Sequence, residues 1–289
     1  MTSGRPLRVA LITSSYNFIA DGVALTLNRL VGYLEKQGVK VLVFAPVGPQ
    51  AAFAHQGTLV PVPSFPLPGR PEYRLALGMG GYAKRRLLDF QPDIIHIAVP
   101  DLLGHAALAL AKAHGIAAVA SYHTRYETYL KHYWYLAPLE GLLKHILRRF
   151  YGLAREVYVP SDSAREALLA DGLKDNFKPW PRGIDTERFS PAKRSAAWRE
   201  RHGIGPDELV VLHVSRLVRE KRLDTLTGTL NRLAIPHRVV IVGDGPDRSY
   251  AEHELPQAIF TGFQEGDDLA AAFASSDIFV FPSDSESFG

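Results

Sequence analysis

The chain opens with Arg8-Val-Ala-Leu-Ile12, turns through Thr13-Ser-Ser-Tyr-Asn-Phe-Ile-Ala-Asp21-Gly22-Val23, takes a helical apolar period over Ala24–Gln37 and returns to Lys40-Val-Leu-Val-Phe44. Strand-length apolar runs on either side of an amphipathic helical segment make a β-α-β unit. The two runs are almost continuously apolar, which a strand needs when helices cover both faces of its sheet. The unit therefore predicts a parallel, doubly wound sheet.

The same alternation extends outward. Ile94–Ile97 leads to a helical pattern over Leu102–His114, followed by Ala117–Ser121 and then by Val157–Pro160 with a helix at Ser163–Ala170. A second series of strand-length runs lies at Leu209–Val214, Val239–Val242, Ala258–Thr261 and Ile278–Phe281. Between the series, Asn176-Phe-Lys-Pro179-Trp-Pro181-Arg-Gly183-Ile-Asp185 has the Pro and Gly content of a linker. We expect an α/β protein of two Rossmann-like domains, residues 1–186 and 187–289, the second incomplete. The Pro-rich stretch Pro61–Pro71 has too few backbone donors for a sheet interior and is expected to be an exposed loop.

The 289 residues suffice for two cores at roughly 100–200 residues per domain. Hydrophobic residues at 46% and charged residues at 22% are ordinary for a globular chain. The absence of cysteine excludes disulfides, thiolate metal sites and a cysteine nucleophile. The most apolar stretch, Ile94–Ala120, is interrupted by His96, Pro100, Asp101, His105, Lys112 and His114, and so does not reach the ~20 apolar residues of a membrane span. Met1–Arg8 leads directly into the first strand, which reads as lacking a secretion signal; a cytoplasmic protein is expected. Residues 1–185 carry 21 Lys+Arg against 14 Asp+Glu, and the remainder 12 against 16, so the first part is basic and points to an anionic partner.

Chemistry-bearing residues cluster where strands end, which is where open α/β sheets bind ligands. After the first strand, Asp21-Gly22 starts a helix whose unpaired N–H groups suit an anion, with Asp21 as a simple N-cap the competing reading. Ser215-Arg216-Leu-Val-Arg219-Glu-Lys221-Arg222 sets four cations beyond an apolar strand. There Arg216 offers a fork and Lys221 a point charge to a diphosphate. The glycines of Val242-Gly243-Asp-Gly245-Pro246 permit close backbone approach, but a full Gly-x-Gly-x-x-Gly is absent, which disfavours a dehydrogenase. Phe281-Pro-Ser-Asp-Ser-Glu286-Ser-Phe288-Gly289 brings a carboxylate to a strand end, where it can accept hydrogen bonds from sugar hydroxyls. His123, in Ser121-Tyr-His123-Thr-Arg125-Tyr126, lies at another strand end and is a donor candidate for a sugar or phosphate oxygen.

Taken in order, Asp21-Gly22-Val23, Ser121-Tyr-His123-Thr, Pro181-Arg-Gly183-Ile-Asp185, Ser215-Arg216-Leu with Lys221, Val242-Gly-Asp-Gly-Pro246 and Phe281–Gly289 resemble glycosyltransferases of family 4, which have the two-domain GT-B fold. Thr26-Leu-Asn-Arg29-Leu and Pro68-Gly-Arg-Pro-Glu-Tyr-Arg74-Leu look most like mannosyltransferases that use GDP-mannose and like sulfoquinovosyltransferases. The resemblance implies retaining transfer from a nucleotide diphosphate sugar held between the domains, with no catalytic metal and no cofactor. Arg216, Lys221 and the helix starting at Gly22 would neutralise the diphosphate. Glu286 and the backbone N–H groups of Phe288 and Gly289, beside Gly243 and Gly245, would hold the donor, and His123 would contact its sugar. Many members have two glycines where this chain has Asp21-Gly22. The family's second glutamate, eight residues after Glu286, would fall beyond Gly289, so the chain reads as C-terminally truncated.

An acceptor is suggested by Leu139–Phe150, whose period sets Leu139, Leu142, Leu143, Ile146, Leu147 and Phe150 on one helical face with Lys144, Arg148 and Arg149 beside it. The aromatic cluster around Tyr126 lies just upstream. Together with Arg74 and Arg125, these residues are candidates for contact with a lipid or glycan acceptor and for an anionic membrane surface on the inner face. A structural amphipathic helix is the plainer alternative. A nucleotide-sugar epimerase, an inactive nucleotide-sugar-binding fragment and a nucleic-acid binder are the competing readings. No nucleic-acid module is found, so nucleic acid is not an expected partner.

Overall fold

A computed structural model describes residues 4–19, 21–67, 70–123, 138, 140–181 and 183–283, without the side chains of residues 70–72. The described residues form two compact units, one up to residue 181 and the other from residue 183 to residue 283.

The first unit is built on seven parallel strands in the order β3-β2-β1-β6-β7-β8-β9. These are β1 Arg8–Ile12, β2 Lys40–Ala45, β3 Thr58–Pro61, β6 Ile94–Ile97, β7 Ala117–Ser121, β8 Glu156–Val159 and β9 Phe177–Pro179. A separate antiparallel pair, β4 Ser64–Leu67 and β5 Arg70–Ala76, follows β3 along the chain. After β1 the chain builds outward to β3, and from β6 it builds in the opposite direction. The switch point, where such sheets bind ligands, therefore lies between β1 and β6.

Strand alternation divides the core. Ala10, Ile12, Leu42, Phe44, Ile95 and Ile97 face the helices Gly80–Phe90, Leu102–His114 and Glu140–Leu153. Leu11, Val41 and Val43 face the helix Gly22–Lys36 through Leu27 and Val31. Packing of both faces is what the near-continuous apolar runs require. Gly104, early in the helix Leu102–His114, lets that helix lie against the Val99 carbonyl where a Cβ would overlap it.

The second unit repeats the design with four parallel strands in the order β12-β11-β10-β13: β10 Val210–Val214, β11 Arg238–Val242, β12 Ile259–Gly262 and β13 Ile278–Phe279. Leu223, Leu226 and Leu230 cover one face, while Trp198 and Ala272 cover the other. Arg199 is 4% exposed. It donates to the carbonyls of Gly205, Ser275 and Glu208, and its guanidinium lies 3.7 Å from Asp277.

One expectation needs correction. The Pro-rich stretch is not simply a loop, because Pro61 ends β3 and Pro66 sits inside β4, opposite Arg74. β3 is an edge strand and β4-β5 is a two-stranded ribbon. Their outward donors go unpaired in any case, so proline costs little there. Among the described residues, no helix is long and apolar enough to cross a membrane.

Candidate functional site

On the first unit, the carboxyl-end rim begins at the β1 loop. Asp21 caps the helix Gly22–Lys36, accepting from the Ala24 N–H at 2.8 Å and from Ser15 Oγ at 2.9 Å. One orphan donor of the helix start is thereby satisfied, and the capping reading of Asp21 holds. A Cβ on Gly22 would meet no atom within 4 Å among the described residues, so packing does not require a glycine there. At the end of β6, Asp101 caps the next helix through the Gly104 N–H at 2.9 Å and accepts from Ser14 Oγ across the switch point. Burial raises the Asp101 carboxyl above its ordinary value against the opposing effect of those hydrogen bonds.

His123 follows β7 and is 6% exposed. Its Nε2 lies 2.8 Å from Ser121 Oγ, which is 3.0 Å from His96 Nε2. The Trp180 ring stands edge-on to both imidazoles, at 5.6 Å from His123 and 5.9 Å from His96. Sequence reading noticed His96 only as an interruption of an apolar stretch. The signal was a histidine inside the strand Ile94-Ile-His96-Ile97, which demands a buried polar partner.

On the second unit, the loops after β10 and β11 continue the sheet's hydrogen bonding. The Ser215 N–H donates to the Val242 carbonyl at 3.1 Å, Leu217 N–H to Asp244 at 2.9 Å and Asp247 N–H to Leu217 at 3.0 Å. Gly243, with φ 133°, and Gly245 make this possible, because a Cβ on either would overlap the carbonyl of Ser215 or Leu217. Their close approach is thus to the neighbouring loop, and it fixes the segment carrying Arg216.

His213, also missed, anchors that segment from below. Its Nδ1 lies 2.9 Å from the Val280 carbonyl and its Nε2 2.7 Å from Ser215 Oγ. A carbonyl only accepts, so Nδ1 carries the proton; the Ser215 hydroxyl at Nε2 also lies 3.0 Å from the Arg216 carbonyl, to which it can donate. Burial, with Lys221 nearby, keeps the imidazole below its ordinary pKa against the pull of Val280. The His213 ring stacks on Phe281 at 6.0 Å, and Lys221 Nζ sits 5.7 Å over the Phe281 ring. Arg216 itself is exposed. One rim thus carries two cations on a braced loop, an arrangement suited to a polyanion.

The remaining sites divide. Glu286, Phe288, Gly289, Arg125 and Tyr126 lie outside the described residues, as does Leu139. Arg74 donates to Ser64 Oγ at 3.0 Å within the β4-β5 ribbon. In the helix Glu140–Leu153 the expected single apolar face is two. Leu143, Leu147 and Phe150 turn inward, while Leu142 and Ile146 are exposed, in line with Arg149 and Leu153 at helical spacing. Lys144 is not merely solvated: it pairs with Asp171 at 2.9 Å and Glu140 at 3.1 Å, which together raise its pKa. Arg148 Nε donates to the Asp171 carbonyl at 2.6 Å. No group of three or more His, Asp or Glu able to hold a metal ion occurs among the described residues. A cavity of about 380 Å³ lies at the amino ends of β2 and β3, lined by residues including Glu35, Lys40, Thr58 and Phe90, at the opposite end of the first unit's strands from the loops after β1, β6 and β7.

Comparison with known proteins gives a consistent result. The family model "Glycosyltransferase Family 4" matches residues 20–188, and "Glycosyl transferases group 1" matches residues 194–289. A GDP-mannose-dependent alpha-mannosyltransferase of Mycobacterium tuberculosis is 35% identical, the match covering 98% of this chain and 74% of that one. Its Corynebacterium glutamicum counterpart is 33% identical over 98% of this chain and 68% of that one. The sulfoquinovosyl transferase SQD2 of Arabidopsis thaliana is 31% identical over 99% of this chain and 57% of its own. Among solved structures, sucrose-phosphate synthase from Thermosynechococcus elongatus superposes with a TM-score of 0.73 at 18% identity, over 98% of this chain and 77% of that one. Anabaena Alr3699/HepE in complex with UDP and glucose gives 0.69 at 17%, over 96% and 74%. These two likenesses concern the fold alone, which is that of GT-B glycosyltransferases.

Proposed function

Because the chain belongs to glycosyltransferase family 4, we propose that it transfers mannose from GDP-mannose, with retention of anomeric configuration and without a metal, to a lipid or glycan acceptor. The observation that carries this reading is the braced loop bearing Arg216 and Lys221 at the carboxyl end of β10. As the anomeric carbon–oxygen bond breaks, its electrons leave with the diphosphate. Fixed cations facing that growing charge stabilise the transition state more than the ground state. In this reading the start of the helix Gly22–Lys36 would supply a further positive end. His123 addresses the sugar, and Glu286 accepts from its hydroxyls alongside the N–H groups of Phe288 and Gly289. The choice of mannose and guanine is supported by the names of the two relatives at 33% and 35% identity.

A lipid acceptor is supported by the exposed Leu142, Ile146 and Leu153 in line with Arg149, an arrangement suited to shallow contact with anionic lipid. The protein would then work at the inner face of the membrane.

A thermal-shift panel of nucleotide sugars tests the donor, since a bound ligand raises the melting temperature with its concentration over affinity. GDP-mannose is expected to give the largest shift. Arg216→Ala and Lys221→Ala are expected to weaken GDP binding by about 1.5–3 kcal/mol each, while Ser249→Ala leaves it unchanged. Glu286→Gln is expected to lose GDP-mannose more than GDP. Unchanged GDP affinity in both cation variants refutes the reading.

A further inference from the structure

The chain His96–Ser121–His123 runs from a buried strand position to the rim. All three side chains are buried: His96 and His123 at 6% exposure and Ser121 at 1%. Ser121 Oγ is within hydrogen-bond distance of both Nε2 atoms, at 3.0 and 2.8 Å. The Trp180 ring stands edge-on against both imidazoles, and the main-chain N–H of Trp180 donates to the Val159 carbonyl at 2.7 Å. Tyr158 closes the group at 5.8 Å from His96 and 6.3 Å from Trp180. This polar and aromatic set occupies the sheet face where Leu11, Leu27 and Val31 pack closer to β1.

A hydroxyl has one proton and accepts through its lone pairs. Set between two imidazole nitrogens, it donates to one and receives from the other. We propose that Ser121 and His96 are positioning residues for His123, with the shared hydroxyl forcing the two imidazoles into opposite tautomers and so fixing which ring nitrogen of His123 carries its proton. His96 Nε2–H donates to Ser121, and Ser121 donates to His123 Nε2. The His123 proton is then on Nδ1, which makes His123 a donor toward an oxygen of the sugar. Burial holds His96 near a pKa of about 4, so it stays neutral and has a single proton to place. The coupling rests on the geometry; the direction toward Nδ1 rests on the proposed sugar contact of His123.

The test is imidazole 15N NMR on the full chain without substrate, paired with steady-state kinetics. Opposite tautomers for His96 and His123 are expected in the wild type. Ser121→Ala is expected to leave His123 in mixed tautomers and to lower kcat roughly tenfold to a hundredfold, the scale on which outer partners of a functional histidine act. The KM for the donor stays within about twofold, because a group that only orients His123 adds little ground-state binding. Ser121→Thr, which keeps the hydroxyl, restores the wild-type spectrum. The same tautomer for both histidines in the wild type overturns the proposal, as does a folded Ser121→Ala protein with unaltered His123 resonances and kcat. Should Ser121→Ala not fold, the wild-type spectrum alone decides. Should no nucleotide sugar be turned over, the proposed function falls, while the tautomer measurement still decides the coupling.

Discussion

Gly243 lies directly under the carbonyl of Ser215, so close that a methyl group in place of its hydrogen would overlap that oxygen. The contact joins the loops after β10 and β11 and holds the Arg216 segment where the sheet's own hydrogen-bond ladder would otherwise end.

Gly243→Ala is therefore expected to destabilise the protein, combining overpacking at about 1–3 kcal/mol with a strained positive φ of similar cost. Gly228→Ala provides the contrast, since its Cβ would meet nothing within 4 Å inside the helix Leu223–Leu230. It should add up to about 1 kcal/mol. Urea unfolding of the two variants measures the difference.

Arg199 offers a second test of the same unit. Arg199→Met removes the side-chain donor from the carbonyls of Ser275 and Glu208 and one of two donors from that of Gly205, which should cost about 2–5 kcal/mol at about 1–3 per unsatisfied buried group. The half-exposed pair Arg238–Glu208 is solvent-screened, and Arg238→Met should cost less than about 1 kcal/mol. Comparable midpoints for both variants in denaturant would contradict this ranking.

Acid should weaken the first unit through His96. The native imidazole protonates near pH 4, against about 6.5 in the unfolded chain. Between those values the unfolded state binds the proton and the native state does not, so stability falls as the pH drops from about 6.5 toward 4. At ~1.4 kcal/mol per tenfold difference in proton affinity, the loss is about 3 kcal/mol. His96→Gln should be less stable at pH 7.5 but should lose less on acidification. Denaturation curves of both proteins at pH 7.5 and 4.5 test the slope.

Membrane contact, if made by the outer stripe of the helix Glu140–Leu153, should depend on Arg149 and not on Lys144, whose ammonium is shared between Asp171 and Glu140. Arg149→Glu is expected to reduce co-sedimentation with anionic vesicles roughly tenfold or more at low salt, at about 1 kcal/mol per unit charge. Lys144→Gln should change it little. Equal losses would move the contact surface elsewhere, and no sedimentation in the wild type would favour a soluble acceptor.

The alternation Arg8–Ile12, Ala24–Gln37 and Lys40–Phe44 was enough to read β1, the first helix and β2, because parallel strands covered on both faces leave an apolar signature that does not depend on distant contacts. The order of strand-end motifs likewise made the family legible, and with it the places of His123 after β7 and of Arg216 and Lys221 after β10. The Pro-rich stretch was misread because strand pairing at an edge tolerates proline, and edge position is decided by neighbours far along the chain. For the same reason local period did not separate the inward Leu147 from the outward Ile146, since both satisfy an apolar helical spacing and only the sheet beneath chooses between them. The partner of Gly243 turned out to be Ser215 across a loop, and the partner of His96 turned out to be Ser121 on the adjacent strand. A sequence states which groups need partners. Which groups meet is fixed by parallel register, which brings residues 25 positions apart to hydrogen-bond distance, and only the folded sheet sets that register.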